Sequence, residues 1–319
     1  MLRRLSRIDL RQVGLPVAVV VMIVVFAVRS DVFLTPTNFQ NVGLDAAALA
    51  CVACGQTFVI LTAGLDLSVG SNVALVSVVC AMGFRDHGWW AGIGFGLVAG
   101  LAIGLLNGLV VTRLRVAPFI ATLAMMSVAS GLALNLSGGT PLTGLPMSFT
   151  ALAYKRLAGF PLPVIIAIAL MVLAYLVLRI SRLGRYIYAT GGNSEAARLS
   201  GINVRGTEVA AYMVCALLAA VGGFILTARV SSGQPTLGSD LALQSVAAVV
   251  LGGVSLFGGR GGMLGVAVGV IFVSILSNGL NLLGVSSYTQ LMVIGVAMVA
   301  AIAWDRYLAR KWQTRGEAA

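Results

Sequence analysis

Amide and hydroxyl side chains, rather than charged ones, occupy the long apolar stretches of this chain. Gln56, Asn72, Asn107 and Asn278 lie within such stretches, whereas no Asp, Glu, Lys or Arg lies at the middle of one. Amides donate and accept hydrogen bonds without net charge, which suits either bonds between helices or contact with a neutral, hydroxyl-rich solute. Proton-coupled carriers usually place ionisable groups at such positions, so the pattern disfavours ion-coupled transport.

One acidic residue, Asp66, lies at an interruption between two apolar stretches, in the segment Gly64–Ser71. An ionised Asp in the middle of a hydrocarbon layer costs about 2.5–3.5 kcal/mol. A break bounded by glycine, in which Asp66 or Ser68 caps the following helix, avoids that cost. The alternative is contact with a transported solute or a gate. The candidates for this translocation path or gate are Asp66, Ser68, Asn72, Asn107 and Asn278.

No constellation of residues in the sequence predicts an enzyme or a metal centre. The single histidine, His87, cannot build a His-based triad, a haem site or a metal cluster. Cys51 and Cys54 lie one helical turn apart but lack the second pair that a zinc site requires. The Gly-rich segment 251–262 lacks the lysine of a phosphate-binding loop. We therefore expect no catalytic residue, no metal and no nucleotide site in this chain.

The composition indicates a protein that lies mostly in lipid. Of its 319 residues, 59% are hydrophobic and 10% are charged, with a mean hydropathy of +1.00. Soluble domains are about 25% charged. A helix needs about 20 mostly apolar residues to cross a bilayer, and several such stretches follow one another. The sequence therefore predicts an all-α integral membrane protein with a single membrane domain over residues 1–319.

The apolar stretches and their interruptions predict about ten transmembrane helices. The first follows an N-terminal cluster of arginines and lacks a small-x-small cleavage site, so we interpret it as an uncleaved span that begins in the cytoplasm. The eighth is short and flanked by glycines, which predicts a broken or tilted segment. The predicted spans are 13–29, 42–62, 67–84, 88–111, 118–136, 161–179, 208–229, 243–256, 263–282 and 287–304.

The distribution of basic residues supports this count and its orientation. With both termini in the cytoplasm, 16 of the 21 basic residues fall at cytoplasmic ends and loops, as the positive-inside rule requires. The outer side keeps Arg29, Arg85, Lys155, Arg156 and Arg229. The net charge of +11 is therefore a sign of membrane topology, and it does not predict nucleic-acid binding.

Glycines recur every four residues in the fourth span, which keeps them on one flank of the helix. In lipid, such a flank lets another helix approach closely, although a lining of the solute path is the alternative. These glycines are Gly92, Gly96, Gly100, Gly104 and Gly108. The segment 104–109 also resembles the segment 275–280 of the ninth span. The match indicates an inverted repeat of spans 2–5 and 7–10, or a chance likeness between short motifs.

A long polar segment, residues 181–207, is predicted to lie on the cytoplasmic side. Asn193 or Ser194 can cap a helix there, Glu195 suits the positive first turn, and Gly201 can end it. A helix of about two turns is marginal in water by itself. We therefore expect it to dock, either onto a partner protein or onto its own chain.

Four blocks of the chain, in order, resemble the permease subunits of the ribose/xylose/galactose-type ATP-binding cassette importers. They are Gly64–Ser71, Pro118–Leu123, Gly192–Ile202 and Val246–Gly259. The likeness covers nearly the whole chain, and four ordered blocks are much more specific than any one. The segment Asp240–Gln244 departs from the family pattern, in which an acidic residue often lies nearer the Ala-Ala-Val run.

The resemblance implies a ten-helix permease in the bacterial inner membrane that dimerises, as a homodimer or with a related permease. It implies two ATPase subunits on the cytoplasmic side and a soluble sugar-binding protein on the outer side. ATP and magnesium would bind the ATPase, so this chain would carry no cofactor. It further implies that Glu195, Ala196, Ala197 and Gly201 form the coupling helix seated in the ATPase, and we assign the adjacent Asn193, Ser194 and Arg198 to the same contact.

The predicted function is therefore alternating-access import of a monosaccharide or a similar neutral polyol. The nearest alternative is a permease of the same superfamily for a branched-chain amino acid, a nucleoside or a signalling molecule. A more distant alternative is an ion-coupled secondary transporter, which the absence of mid-span carboxylates disfavours.

Overall fold

The computed structural model describes residues 10–297 and 299–300, and helices make up most of that part of the chain. The longer helices are α1 (Leu10–Arg29), α2 (Pro36–Leu61), α3 (Val69–His87), α4 (Trp89–Thr112), α5 (Pro118–Ser137), α7 (Leu162–Ile180), α8 (Arg182–Gly192), α10 (Val204–Val230), α11 (Leu241–Leu251), α12 (Met263–Leu282) and α13 (Ser287–Ala297). The short helices are α6 (Met147–Thr150) and α9 (Ser194–Leu199), beside a 3-10 turn at Ala151–Ala153. Two short strands, β1 (Arg156–Leu157) and β2 (Phe160–Pro161), form an antiparallel hairpin between α6 and α7.

The architecture confirms the predicted all-α membrane fold. Seven helices of the described residues are long and apolar enough to cross a bilayer, namely α2, α3, α4, α5, α7, α10 and α12. The described apolar parts of α1, α11 and α13 are shorter. The predicted last span continues to residue 304, and its end, like the predicted cytoplasmic termini, lies outside the described residues.

Two predicted span boundaries differ clearly from the structure. Helix α2 begins at Pro36 rather than near residue 42, because the Thr35 hydroxyl accepts the N–H of Asn38 at 3.3 Å and Pro36 fits the first helical turn. Helix α11 ends at Leu251 rather than near residue 256. There the backbone of Gly252 packs so closely on α12 that a Cβ would lie 2.5 Å from the Gly265 carbonyl oxygen.

Helices α2 and α10 pack antiparallel at the centre of the bundle. Gly55 of α2 lies against Cys215 of α10, and Gly222 of α10 lies near Ala48 of α2, so the two helices run in opposite directions. Helices α3 and α4 pack on each other and on α10, whereas α11 and α12 pack on each other and on α2. The α3–α4 pair thus packs on α10 in the same way as the α11–α12 pair packs on α2, which is the arrangement that an inverted repeat of spans 2–5 and 7–10 requires. The repeat itself stays a prediction.

The helices at the periphery expose apolar side chains, as a lipid-facing surface requires. Helix α1 exposes Val20 and Val24, and α7 exposes Ile168 and Val172. The lipid-facing exposure of these helices contrasts with α2, whose residues from Ala47 onward are buried.

The two ends of the α2–α10 pair differ in character. At one end, the Asp45 end, Arg229 forms an ion pair with Asp45, and Arg156 donates to the Gln40 side chain at 2.7 Å. At the other, the α9 end, helices α8 and α9 pack beside the first turns of α10. The predicted outer arginines 156 and 229 thus lie together, opposite the predicted cytoplasmic segment; the absolute orientation stays a prediction from the charge distribution.

Candidate functional site

Asp66 lies at a break between α2 and α3, fully enclosed by protein. One carboxylate oxygen accepts the backbone N–H and the hydroxyl of Ser68, at 2.9 and 2.6 Å. Asn107 of α4 donates its amide to the same carboxylate at 3.3 Å and to the Ser68 hydroxyl at 2.8 Å. Of the two interpretations that the sequence left open, the helix cap holds only in position: Ser68 is the N-cap residue of α3, but neither its side chain nor that of Asp66 accepts a hydrogen bond from the first turn. Both side chains are engaged with each other and with Asn107.

Polar side chains from two further helices hold the backbone of the same break. With its amide oriented to satisfy its neighbours, Gln56 of α2 donates to the Asp66 carbonyl and accepts the Asp66 N–H, both at 3.2 Å. Thr122 of α5 donates to the Leu65 carbonyl at 3.2 Å. Non-helical backbone at membrane depth is tolerated only when neighbouring groups satisfy it. The Gly64–Ser71 block is therefore a fixed break, tied to α2, α4 and α5.

We expect Asn107→Ala to lower the free energy of unfolding by about 1–3 kcal/mol, because the buried Asp66 carboxylate and Ser68 hydroxyl lose a shared partner. Thermal or chemical denaturation of the purified protein in detergent measures the change. Asn135→Ala is the matched control, since that amide is exposed on α5 and its loss should change stability by no more than about 0.5 kcal/mol. Equal stabilities for the two variants would contradict the assigned role of Asn107.

The other two path candidates lie elsewhere. Asn72 of α3 is wedged between α4 and α10, where its amide nitrogen lies 3.5 Å from the Gly100 carbonyl and 3.4 Å from the Ala216 carbonyl. Asn278 of α12 forms a reciprocal pair of amide hydrogen bonds with Asn38 of α2, at 3.0 and 2.9 Å. The structure thus brings Asp66, Ser68 and Asn107 together and keeps the two remaining asparagines at separate helix contacts.

The glycine flank of α4 lies against α3 and α10. A Cβ on Gly96 would lie 2.7 Å from the ring of Phe224, one on Gly100 would lie 2.9 Å from the Ala220 Cβ, and one on Gly108 would lie 2.9 Å from the Val209 Cα. Gly92 and Gly104 meet the Phe84 ring of α3 and Ala216 of α10 in the same way. All five glycines are buried in helix contacts, so the structure places this flank at a close packing surface.

Helix α9 is a short, exposed element with both ends capped. The Asn193 side chain accepts the N–H of Ala196 at 2.9 Å, which is the predicted N-terminal cap. At the other end Gly201 adopts a positive φ of 83°, and Ile202 donates to the Ala197 carbonyl at 3.0 Å, as in a Schellman motif. Both ends are therefore fixed by local contacts, and the helix does not depend on a partner to begin or end.

The outward face of α9 is unoccupied among the described residues. Glu195 and Arg198 form an exposed ion pair at 2.5 Å, and the hydrogen bond from Arg198 holds the pKa of Glu195 below its usual value. Leu199 is 74% exposed, whereas Ala197 is buried against the chain. Ser194 and Ala196 are also exposed. The helix thus packs on its own protein through one residue and presents charge and an apolar side chain outward.

Sequence reasoning missed a junction of three backbones beside α9, which we call the glycine junction. It comprises Leu61 at the end of α2, Gly191 at the end of α8, and Gly258 and Gly259 between α11 and α12. Gly259 donates its N–H to the Leu61 carbonyl at 2.9 Å. A Cβ on Gly191 would overlap that carbonyl and lie 2.7 Å from the Gly259 nitrogen. The Gly-rich motifs in the sequence are the feature that could have indicated this junction.

Two cavities lie at opposite ends of the α2–α10 pair. The α9 cavity, of about 430 Å³, lies beside the glycine junction. Its lining includes Thr62, Thr190, Asn193, Glu208 and Tyr212. The Asp45 cavity, of about 260 Å³, lies among α2, α10, α11, α12 and α13. The polar residues that line it include Asp45, Gln244, Ser274, Ser277, Asn278 and Asn281.

The predicted functional residues also differ in whether they line a cavity. Asn278 lines the Asp45 cavity, and Asn193 lines the α9 cavity. Asp66, Ser68, Asn72 and Asn107 line neither, and each is buried in contacts between helices. In this conformation those four residues hold the bundle together, and their role in a path or gate stays a prediction.

Comparison with known proteins places the chain among membrane permeases. Residues 38–302 match the family described as "Branched-chain amino acid transport system / permease component". The chain is 43% identical to the ribose import permease protein of Bacillus subtilis (strain 168) over 289 residues, which cover 90% of each protein. It is 42% identical to the ribose import permease protein of Escherichia coli (strain K12), over 91% of this chain and 92% of that protein.

The chain is also similar to a permease named for a different sugar. The chain is 36% identical to the L-arabinose transport system permease protein of Escherichia coli (strain K12), over 93% of this chain and 90% of that protein. No solved structure matches the chain.

Proposed function

We infer that this chain, which belongs to the branched-chain amino acid transport system / permease component family, is a membrane-spanning transport subunit. We propose that it serves an ATP-binding cassette importer for a monosaccharide. The observation that carries the proposal is similarity of 36–43% along nine-tenths of the chain to permeases named for ribose and L-arabinose. Family membership alone makes the chain a transport subunit of the membrane.

The exposed helix α9 supports a second part of the proposal, that this element couples the permease to an ATPase. It is preformed by its caps, and its outward face offers Glu195, Arg198 and Leu199. An exposed apolar residue beside an ion pair is the kind of surface that a partner protein covers. The contact comprises Asn193, Ser194, Glu195, Ala196, Arg198 and Gly201, with Ala197 fastening the helix to its own chain.

The glycine junction supports a route from this contact into the membrane. Helix α8 follows α7 and leads directly into α9, and its last turn touches the backbones of Leu61 and Gly259. The break at Asp66 follows Leu61 by five residues in the sequence. Movement of α9 by an ATPase would therefore displace α2, the break and the α11–α12 loop together. Alternating access would follow if this displacement opened one cavity and closed the other.

The partners of the chain follow from the same proposal. An ATPase subunit would bind α9 on the cytoplasmic side and would hold ATP and magnesium, so that hydrolysis lies outside this chain. A sugar-binding protein would deliver the solute at the Asp45 end. A second permease copy, identical or related, would complete the pore in the bacterial inner membrane, with both termini in the cytoplasm. Nucleic acid plays no part.

A transport assay with purified components tests this function. We expect proteoliposomes that contain the chain, its ATPase and its binding protein to accumulate D-ribose or L-arabinose only when ATP is supplied. L-Leucine is the matched control solute, because the family description names branched-chain amino acids. Uptake driven by a proton or sodium gradient without the ATPase would refute the proposal. ATP-driven uptake of leucine but not of either sugar would show that the transported solute is an amino acid.

We expect Glu195→Arg to abolish most ATP-driven uptake while the permease stays folded and inserted. The exposed position tolerates the change, since like charges one turn apart on a helix cost only about 0.2–0.5 kcal/mol. The partner surface would instead meet a reversed charge. Uptake and thermal stability of the same preparation separate the two effects.

The double variant Glu195→Arg with Arg198→Glu is the control for the ion pair within α9. It restores the pair with its charges exchanged, so it repairs any loss that arises inside the helix. Contact with an ATPase predicts that the double variant stays uncoupled. Full uptake by either variant would count against the coupling role of Glu195.

A further inference from the structure

The Asp45 cavity contains a buried hydroxyl without a partner. Ser274 of α12 is 4% exposed, and its Oγ has no hydrogen bond among the described residues. Hydroxyls inside helices usually bond to the carbonyl one turn earlier. Thr57, Thr112 and Thr227 do so in this protein, at 2.7 Å each. Buried polar groups are nearly always satisfied, so the Ser274 hydroxyl, like that of Thr190 in the α9 cavity, is available to a ligand in the cavity that it lines.

Other polar side chains in the cavity are similarly available. Within the described part of the chain, the side chains of Gln244 and Ser277 have no hydrogen-bond partner, and both are half-buried. Asp45 is held at the rim by its ion pair with Arg229, and Asn278 is oriented by its pair with Asn38. The cavity thus combines fixed groups with donors and acceptors that are free to bind.

The chemistry of the lining selects for a neutral solute. Hydroxyls and amides supply both donors and acceptors, which a polyhydroxylated molecule can satisfy around its whole periphery. The charged side chains that line the cavity in the described structure are the carboxylates of Asp45 and Asp240, with no lysine or arginine. The cation nearest the cavity, Arg229, is already paired with Asp45, so the carboxylate of an amino acid would have to compete with Asp45 for it, and a phosphorylated sugar would be repelled.

The size of the cavity fits a single sugar ring. At about 30 Å³ for each water molecule, a volume of about 260 Å³ corresponds to roughly eight or nine waters. A monosaccharide occupies a comparable space.

The position of the cavity suits a site that receives solute before translocation. Asp45 at this cavity and Thr62 at the α9 cavity lie on one helix and its end, and 17 residues separate them. At a rise of 1.5 Å per residue this is about 25 Å, most of the thickness of the hydrocarbon layer. The Asp45 cavity therefore lies across the membrane from the proposed ATPase contact.

We infer that the Asp45 cavity is a binding site of the permease itself for the neutral monosaccharide, entered from the side opposite α9. The inference rests on the proposed function and adds to it the residues that select the solute. They are the free groups of Gln244, Ser274 and Ser277, beside the oriented amide of Asn278 and the amide of Asn281, which accepts a hydrogen bond from Gln290 at 3.4 Å. A permease with such a site discriminates among solutes after the binding protein has released them.

Protection of an introduced cysteine tests the inference directly. Ser277→Cys in the complete importer is treated with a membrane-impermeant methanethiosulfonate reagent, with and without D-ribose at tens of millimolar. The four native cysteines are buried, so they contribute little background. We expect D-ribose to slow labelling at least threefold and L-leucine to leave it unchanged. Thr236→Cys is the matched control, exposed in the loop before α11, and its labelling should not respond to either solute.

Equal labelling rates with and without D-ribose, or protection by leucine instead, would overturn the inference.

A measurement of transport provides a second test of the site. Gln244→Leu should lower ATP-driven sugar uptake about tenfold while ATP hydrolysis stimulated by the loaded binding protein persists. Unchanged uptake by this variant would also count against the site.

The experiments distinguish failure of the proposed function from failure of the proposed binding site. If the unmodified importer hydrolyses ATP but accumulates no sugar, the proposed function is wrong. If it accumulates sugar while Ser277→Cys is not protected and Gln244→Leu transports normally, the function stands and the Asp45 cavity is not the binding site.

Discussion

Replacing Gly100 by leucine is expected to lower both the folded yield and the thermal stability of the purified protein. A Cβ at this position would already lie 2.9 Å from the Ala220 Cβ and 3.1 Å from the Val76 Cγ2. A leucine side chain must therefore push α4 away from α3 and α10 together. Overpacking of this kind costs about 1–3 kcal/mol, and here it acts where three helices meet. Denaturation in detergent and size-exclusion yield measure the effect.

Gly94→Leu is the control for that variant. Gly94 lies on the same helix, but nothing lies within 4 Å of the position that its Cβ would take. The same substitution therefore adds the same apolar volume without a clash. We expect yield and stability to remain near those of the unmodified protein. If both variants behaved alike, the loss would reflect leucine in α4 generally, and the close-contact interpretation of the glycine flank would be wrong.

Replacing Gly191 by alanine is expected to reduce ATP-driven uptake at least about tenfold. The added methyl group overlaps the Leu61 carbonyl oxygen and lies 2.7 Å from the Gly259 nitrogen. The substitution must therefore separate α8 from α2 and break the hydrogen bond between Gly259 and Leu61. We expect a stability loss of about 1–3 kcal/mol, with a larger loss of coupling because the junction joins α9 to the membrane helices. Uptake and stimulated ATP hydrolysis are measured together.

Gly192→Ala is the matched control, one residue further along the chain. Its Cβ would meet nothing within 4 Å, so the variant should fold and transport normally. Retained uptake by Gly191→Ala would contradict the proposed route through the junction. Loss of uptake by both variants would show that α8 needs glycine for a reason other than this contact.

Much of the fold follows from patterns that lie along single segments. A helix that crosses lipid must be long and apolar, and each of the seven long apolar helices coincides with a predicted span. The flank of α4 was predictable because a spacing of four residues keeps glycines on one side of a helix. The caps of α9 at Asn193 and Gly201 were predictable because capping depends on residue type over a few positions. These features are local, so the sequence alone determined them.

The partners of the polar groups were not predictable in the same way. Asn107 follows Asp66 by 41 residues, and Gln56 holds the backbone of Asp66 from a different helix. The sequence indicated a cap at Asp66 because capping is the common local solution. The structure instead uses side chains from α2 and α4, since a break inside lipid has no water to satisfy it.

The glycine junction and the Asp45 cavity also depend on tertiary structure alone. In each, residues far apart in the chain meet: Gly191 with Leu61, and Asp45 with Gln244 and Ser274. In lipid, apolar surface does not select one neighbouring helix over another, so close packing and buried hydrogen bonds decide which faces meet. The sequence by itself therefore determined the spans, the packing flank and the capped helix, whereas only the three-dimensional packing decided which of its polar groups are satisfied and which are left free to bind.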